Sequence, residues 1–318
     1  MKRIRARYFA WSLLFPAKSY NFAATCSRER IAWLFLLPML TIMAVVTGFP
    51  LLNTLWLSFT DASLTGRGYD WNWSGFENFI YLADDENFRV ALGHTFYFTI
   101  VSVGIEMVLG ILVALLLNQE FAGRTLVRTL LILPWALPTI VNAMMWRLIY
   151  NPEYGSLNAL LTQTGLIDAY RSWLGIPGTA MNMVILADVW KNYPLIALIV
   201  LGALQTIPRD LYEAAAIDGA NPWERFWHIT FPGILGPFSV ALILRTIEAF
   251  KVFDIIYVMT RGGPADTTKT ASFFVYQESF SYLRAGSGAA YAVAVTLLSG
   301  LLITAYVIVL RKRERTSS

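Results

Sequence analysis

An all-α polytopic membrane protein is the fold class this sequence predicts, and three observations predict it. Of 318 residues, 56% are hydrophobic and only 14% charged, with a mean hydropathy of +0.52. Soluble domains carry roughly 45–50% apolar and about 25% charged residues, so too few charges remain here to cover a water-facing surface. The apolar residues gather into six stretches of spanning length, a span needing about 20 mostly apolar residues. The basic residues gather at the two ends of the chain, which points to a membrane surface as partner and not to nucleic acid.

The elements follow in order. Residues 1–30 form a basic segment with Lys2, Arg3, Arg5, Arg7, Lys18, Arg28 and Arg30. Its apolar stretch Tyr8–Pro16 is too short to span and is expected to lie on the membrane surface rather than to be a cleaved leader. Spans are expected at 31–59, 89–117, 125–149, 181–205, 237–259 and 288–310, together one membrane domain over 31–310. Pro38, Pro50, Pro134 and Pro138 interrupt the first and third spans, which neighbouring helices can accommodate. The tail 311–318 is basic again, with Arg311, Lys312, Arg313 and Arg315. Basic ends belong in the cytoplasm, and two cytoplasmic ends require an even number of spans. The acidic loop after span one (Asp61, Asp70, Glu77, Asp84, Asp85, Glu86) belongs outside. The turn 118–124, followed by Arg128, belongs inside.

Several chemistries are excluded. Cys26 is the sole cysteine, so no internal disulfide is available; His94 and His228 are the only histidines. No phosphate-binding GxxxxGK[ST] loop, HExxH, paired CxxC or GxSxG occurs. The chain is therefore expected to hold no catalytic centre, no metal and no ATPase site of its own. A transporter, a channel or a scaffold remains.

Between spans four and five lies the longest internal cytoplasmic segment, 206–236. Arg209 and Arg225 there face Asp210, Glu213, Asp218 and Glu224, a balance that the positive-inside trend would not produce. Asp210 with Glu213 three residues on has the pattern of a capping box. Gly219 is placed to end that helix in the left-handed region. Pro222 suits the first turn of a second short helix, expected to run through Trp223–His228, with Pro232 and Pro237 marking the entry to span five. On local physics alone, a hairpin that merely anchors the loop at the interface explains this pattern equally well.

Ionisable residues inside spans cost at least about 2.5–3.5 kcal/mol each and usually face a bundle interior. Asp188, Lys191, Asn192 and Leu195 share one helical face by i, i+3, i+4, i+7 spacing, with Pro194 beside them. Arg245, Glu248, Lys251 and Asp254 alternate in sign at i+3 steps, either as a polar wall or as mutually neutralising pairs. Glu106 stands alone in span two and reads as structural. Trp56, Trp71, Trp73, Trp146 and Trp173 fit an interfacial belt, while Trp190 and Tyr193 flank the polar face of span four.

Glu213–Ala214–Ala215, Gly219 six residues after the glutamate, Ile229 and Pro232 resemble the EAA loop of binding-protein-dependent ABC importer permeases, with Phe231 where leucine is usual. Gly75–Phe76–Glu77–Asn78–Phe79, Leu133–Pro134, Asn151–Leu161 and Phe253–Pro264 extend the resemblance to the carbohydrate branch, of maltose-channel, trehalose and glycerol-phosphate type. It implies the six-helix fold of type I importer permeases in a bacterial inner membrane. It implies that Glu213, Ala214, Ala215, Asp218 and Gly219 belong to a coupling helix that docks on an ATPase. Expected partners are a second EAA-type permease, two ATPase subunits that bind ATP and Mg, and an extracytoplasmic solute-binding protein. Aligning the EAA loop places the family's solute contacts at Asp188, Lys191, Asn192, Leu195, Arg245, Glu248, Ala249 and Val252. Their charge departs from the maltose pattern and is closer to the trehalose one, and also suits an anionic glycoside. An ion-coupled secondary transporter with Glu106, Asp188 and Glu248 as relay groups is the competing reading; a non-transporting scaffold is another.

Overall fold

The computed structural model describes residues 22–65 and 68–317. The stretch Tyr8–Pro16 and most of the basic N-terminal segment lie outside the described residues. The chain divides into two units, the first ending at Thr54.

The first unit contains α1 (Phe22–Met43), a π turn (Ala44–Gly48) and most of α2 (Phe49–Leu57). The stretch Ala32–Leu57 is long and apolar enough to cross a membrane. Pro38 sits inside α1 without ending it. Pro50 has no N–H for the carbonyl of Val46, and its ring crowds that carbonyl. The π turn just before it relieves the conflict: the Phe49 N–H donates to the carbonyl of Ala44, five residues back.

The second unit begins with a small antiparallel hairpin, β1 (Ser63–Thr65) and β2 (Gly68–Asp70). Helices α3 (Glu77–Asp84) and α4 (Glu86–Asn118) follow. Asp85 separates them and caps α4, accepting from the N–H groups of Asn87 and Phe88. The third span is broken into α5 (Arg124–Ala136) and α6 (Thr139–Ile149), bent by 97°. The bend falls where proline demands it. Leu137 precedes Pro138 and is driven out of the helical region, to φ −71°, ψ 137°. Helix α7 (Ser156–Gln163) precedes α8 (Ala180–Leu204), which runs unbroken through Pro194.

The loop after α8 carries α9 (Arg209–Ile217), α10 (Pro222–Arg225) and a π turn (Phe226–Thr230) leading into α11 (Phe231–Phe250). Beyond it come α12 (Asp254–Met259), α13 (Ala271–Tyr276), a π turn (Gln277–Ser281) and α14 (Ala285–Ser317). Five helical stretches meet the length and hydropathy of a span, and the bent pair supplies a sixth. The all-α class and the six expected spans therefore agree with the structure.

Two boundaries differ. The expected second short helix of the loop is not separate, because Pro222–Phe250 forms one continuous 29-residue stretch. Pro232 does not break it, for the reason already seen at Pro50: the Phe231 N–H reaches back five residues to Phe226. The expected span 237–259 ends instead at Phe250, with Lys251 as its C-cap, and Asp254 opens a new helix. That break is tolerated because its backbone is satisfied. The Val252 N–H donates to the carbonyl of Ala249, and the Val252 carbonyl accepts from Thr270 Oγ1 at 3.1 Å.

The core of this unit lies where α4, α8 and α11 meet, around Phe98, Ile196, Val200 and Ile234. Gly110 on α4 permits the close approach. A Cβ there would stand 2.5 Å from Ile196 Cγ2. A second cluster of Phe88, Phe250, Phe274 and Tyr291 fixes α13 and α14 against the start of α4.

Candidate functional site

Two regions gather the residues that the sequence singles out: a buried charge cluster across α4, α8 and α11, and the loop holding α9 and α10.

Arg245 is the hub of the cluster. Its Nε donates to Glu106 Oε2 at 2.7 Å and its Nη2 to Glu106 Oε1 at 2.9 Å, a bidentate pair. The same Nη2 donates to Asp188 Oδ2 at 3.1 Å, and Nη1 donates to Glu248 Oε2 at 2.7 Å. Asn192 Nδ2 donates to Asp188 Oδ1 at 2.9 Å and to the Asp188 carbonyl at 3.0 Å. Glu106 is completely buried, and the Arg245 and Asp188 side chains are 5% and 9% exposed, whereas Glu248 is 62% exposed. At 1.5 Å per residue, Glu106 lies about 30 Å from the start of α4 and about 18 Å from its end, and Asp188 about 12 and about 24 Å from the ends of α8. The cluster therefore sits well inside the helical bundle.

The expected face of α8 is met in part. Asp188 and Asn192 are buried in the network. Lys191 and Leu195 are half-buried, and Lys191 has no carboxylate within ion-pair distance among the described residues. On α11, Arg245 and Glu248 form an intrahelical ion pair, the second of the two readings of the alternating series, and Ala249 is buried. Val252 is buried beyond the end of the helix. The alternating series does not continue, because Lys251 caps α11 at the start of the break 251–253 and Asp254 opens the next helix, instead of both sharing the helix with Arg245. Glu106 is not isolated. Its partner is 139 positions away in sequence, so no local spacing rule could find it; only the cost of an unpaired intramembrane carboxylate hinted at a hidden cation. Trp190 packs edge-on against Trp146, with centroids 5.8 Å apart.

The loop is well determined locally. Helix α9 ends in a Schellman arrangement: Ala220 N–H donates to Ala215 O at 2.9 Å, and Gly219 N–H to Ala216 O at 3.2 Å. Gly219 has φ +80°, which a side chain disfavours. The N-terminal expectation is corrected. Pro208, not Asp210, is the N-cap, no side chain caps α9, and Asp210 lies in its first turn. The capping box is at the next helix. Asn221 Oδ1 accepts from the Glu224 N–H at 2.9 Å, and the Asn221 N–H donates to Glu224 Oε2 at 2.8 Å, with Pro222 in the first turn. Only Ala220 separates Asn221 from the left-handed glycine, so the two caps make one tight corner.

Tyr212 anchors α9, its hydroxyl 3.0 Å from Thr230 Oγ1. Arg209 pairs with Glu120, in the turn between α4 and α5, at 3.3 Å. A cavity of about 570 Å³, lined by residues including Asn118, Arg124, Gln205 and Tyr212, lies behind the helix. The other side of α9 is open: Glu213, Ala214, Asp218 and Gly219 are exposed, Ala215 is half-buried, and Ile217 is 87% exposed.

Comparison with known proteins adds an independent line. The family described as "binding-protein-dependent transport system inner membrane component" matches residues 106–315. The trehalose/maltose transport system permease protein MalF of Thermococcus litoralis is 38% identical, over 90% of this chain and 94% of its own length. The sulfoquinovosyl glycerol transport system permease protein SmoG of Agrobacterium fabrum is 35% identical, over 89% and 91%. A chain of a bacterial alginate ABC transporter, solved with an alginate pentasaccharide-bound periplasmic protein, has the same fold at a TM-score of 0.77 and 21% identity, over 90% of this chain and 95% of that one.

Proposed function

We propose, on the premise that this chain belongs to the family of binding-protein-dependent transport system inner membrane components, that it forms half of a solute pathway in an ATP-driven sugar importer. The observation that carries the reading is the open face of α9. A nine-residue helix is too short to be stable alone in water. Here it is held from behind by Tyr212, capped by Gly219, and presents Glu213, Ala214 and the bare side chain of Ile217 outward. That arrangement suits docking on an ATPase subunit, which would bind the ATP and Mg. A second permease with its own such loop, and an extracytoplasmic solute-binding protein, complete the assembly in this reading. Both chain ends lie in the cytoplasm.

Solute passes along α8 and α11, past a wall on which Lys191, Leu195 and Glu248 are accessible and which the buried Asp188, Asn192, Arg245, Ala249 and Val252 support from behind. The relatives' names support a glycoside: one is a trehalose/maltose system and another a sulfoquinovosyl glycerol system. The test is uptake of radiolabelled sugar into proteoliposomes holding the full complex and the binding protein. ATP inside the liposomes should drive it. Uptake that ignores ATP and follows an imposed ion gradient would replace this reading with the ion-coupled one. Labelling from outside of a cysteine placed at Ser318 would overturn the topology.

A further inference from the structure

The buried cluster divides into an inner and an outer part, and the division bears on which solutes pass. Arg245 has five N–H donors. Four of them are directed at carboxylates: two at Glu106, one at Asp188 and one at Glu248. A guanidinium so occupied cannot clamp an incoming anion. Glu106 and Asp188 are shut away from solvent, so they cannot receive a solute either. Glu248 alone among the three carboxylates is open. It sits on an exposed stripe of α11 at four-residue spacing with Val240 and Leu244, which are 55% and 49% exposed. Within the bundle an open carboxylate facing lipid would be costly, so the stripe faces water or a partner.

We propose that Glu106 is a positioning residue for solute selection. By holding two donors of Arg245 it turns the guanidinium inward, leaves the Glu248 carboxylate as the group presented on α11, and so favours a neutral, hydroxyl-rich solute over an anion. This rests on the reading that α8 and α11 line the solute pathway. Hydroxyl groups donate to a carboxylate in charge-assisted hydrogen bonds, whereas a phosphate or sulfonate is repelled by it. Lys191, half-buried on α8, and Lys251, beyond the end of α11, are the nearby cations. Neither is in ion-pair contact with Glu248 among the described residues.

The test has two arms in the assembled complex, with Cys26→Ser as background because Cys26 is the sole cysteine. In the first, Leu244→Cys, one turn from Glu248, is modified by a trimethylammonium and by a sulfonate methanethiosulfonate. Each rate is divided by that reagent's rate with free cysteine. A unit charge about 6 Å away in water changes the ratio of the two rates by about tenfold. The cationic reagent should react faster. Glu248→Gln should lower the ratio by about tenfold and Glu106→Gln by several-fold, while Glu106→Asp should retain most of it. A ratio favouring the anion, a ratio untouched by Glu106→Gln, or no reaction with either reagent would overturn the proposal.

The second arm compares uptake of trehalose and trehalose 6-phosphate by the original chain and by Glu106→Gln, with the same binding protein throughout. The original chain should prefer trehalose, and the variant should narrow that preference at least threefold. A preference for the phosphate in the original chain, or an unchanged preference in the variant, would overturn the proposal. Transport of neither sugar would instead count against the sugar-importer reading, with the cysteine rates still judging the charge arrangement.

Discussion

Replacing Arg245 by methionine should destabilise the chain more than any other single change at the cluster. Methionine keeps much of the aliphatic bulk but removes all four hydrogen bonds to carboxylates. Glu106, completely buried, and Asp188, 9% exposed at its side chain, are then left as neighbouring carboxylates without a cation. Glu248 loses its partner too, but it is open to solvent and is rehydrated at little cost. Removing one partner of a buried ion pair costs about 3–5 kcal/mol, most of it the desolvation of the charge left behind. At roughly 2 °C per kcal/mol for a chain of this size, the apparent melting temperature should fall by about 6–10 °C. The assay is fluorescence-detected size exclusion after heating the detergent-solubilised permease pair. Arg245→Met with Glu106→Gln and Asp188→Asn should recover most of the loss, because no buried charge then remains. The reasoning fails if Arg245→Met melts within 2 °C of the original chain, or if the triple variant is less stable than the single one.

Three further outcomes are expected. Gly219→Val should abolish uptake while the permease pair still inserts, since forcing a β-branched residue to φ +80° costs about 1–3 kcal/mol and undoes the turn that ends α9; full uptake and sugar-stimulated ATPase activity in this variant would contradict the coupling role. Asn221→Ala should cost about 1 kcal/mol by loss of the capping box and loosen the same corner, so proteolysis between Gly219 and Trp223 should accelerate without a change in insertion. Burial pushes the Glu278 carboxyl above its ordinary 4.5, against the opposing pull of Arg284 3.7 Å away. A raised carboxyl favours the folded state only when protonated, so this group's contribution is fully present below pH 4.5 and is lost as pH rises through its folded value. Glu278→Gln should therefore flatten the melting temperature against pH just above 4.5, and an unchanged profile would remove Glu278 as the source.

The linear sequence alone determined those features of the protein that are local or compositional. Spanning length and apolar excess mark out the membrane helices, because the bilayer imposes a length and the backbone must satisfy itself within it. Pro138 implies the bend in the third span through its effect on Leu137. Gly219 and Pro222 imply the corner after α9, because only particular residues tolerate those dihedrals. Where two local solutions compete, the same reasoning fails. The pattern at Asp210 and Glu213 has the right spacing for a capping box, yet Asn221 and Glu224 form one instead, two residues after the glycine that reverses the chain.

Tertiary structure decided the rest. Sign alternation from Arg245 to Asp254 reads as one continuous face, but packing ends α11 at Phe250, where Thr270 is at hand to satisfy the Val252 carbonyl. Pairing of Glu106 with Arg245 joins residues 139 positions apart, and no helical period spans that distance. Which of the intramembrane charges are sealed in and which stay open depends on how closely α4, α8 and α11 approach. Gly110 against Ile196 allows that approach, and a sequence can offer a small residue there without saying which side chain will press against it. Charge and hydropathy are properties of residues and can be read one at a time, whereas burial is a property of their surroundings and exists only once the helices have met.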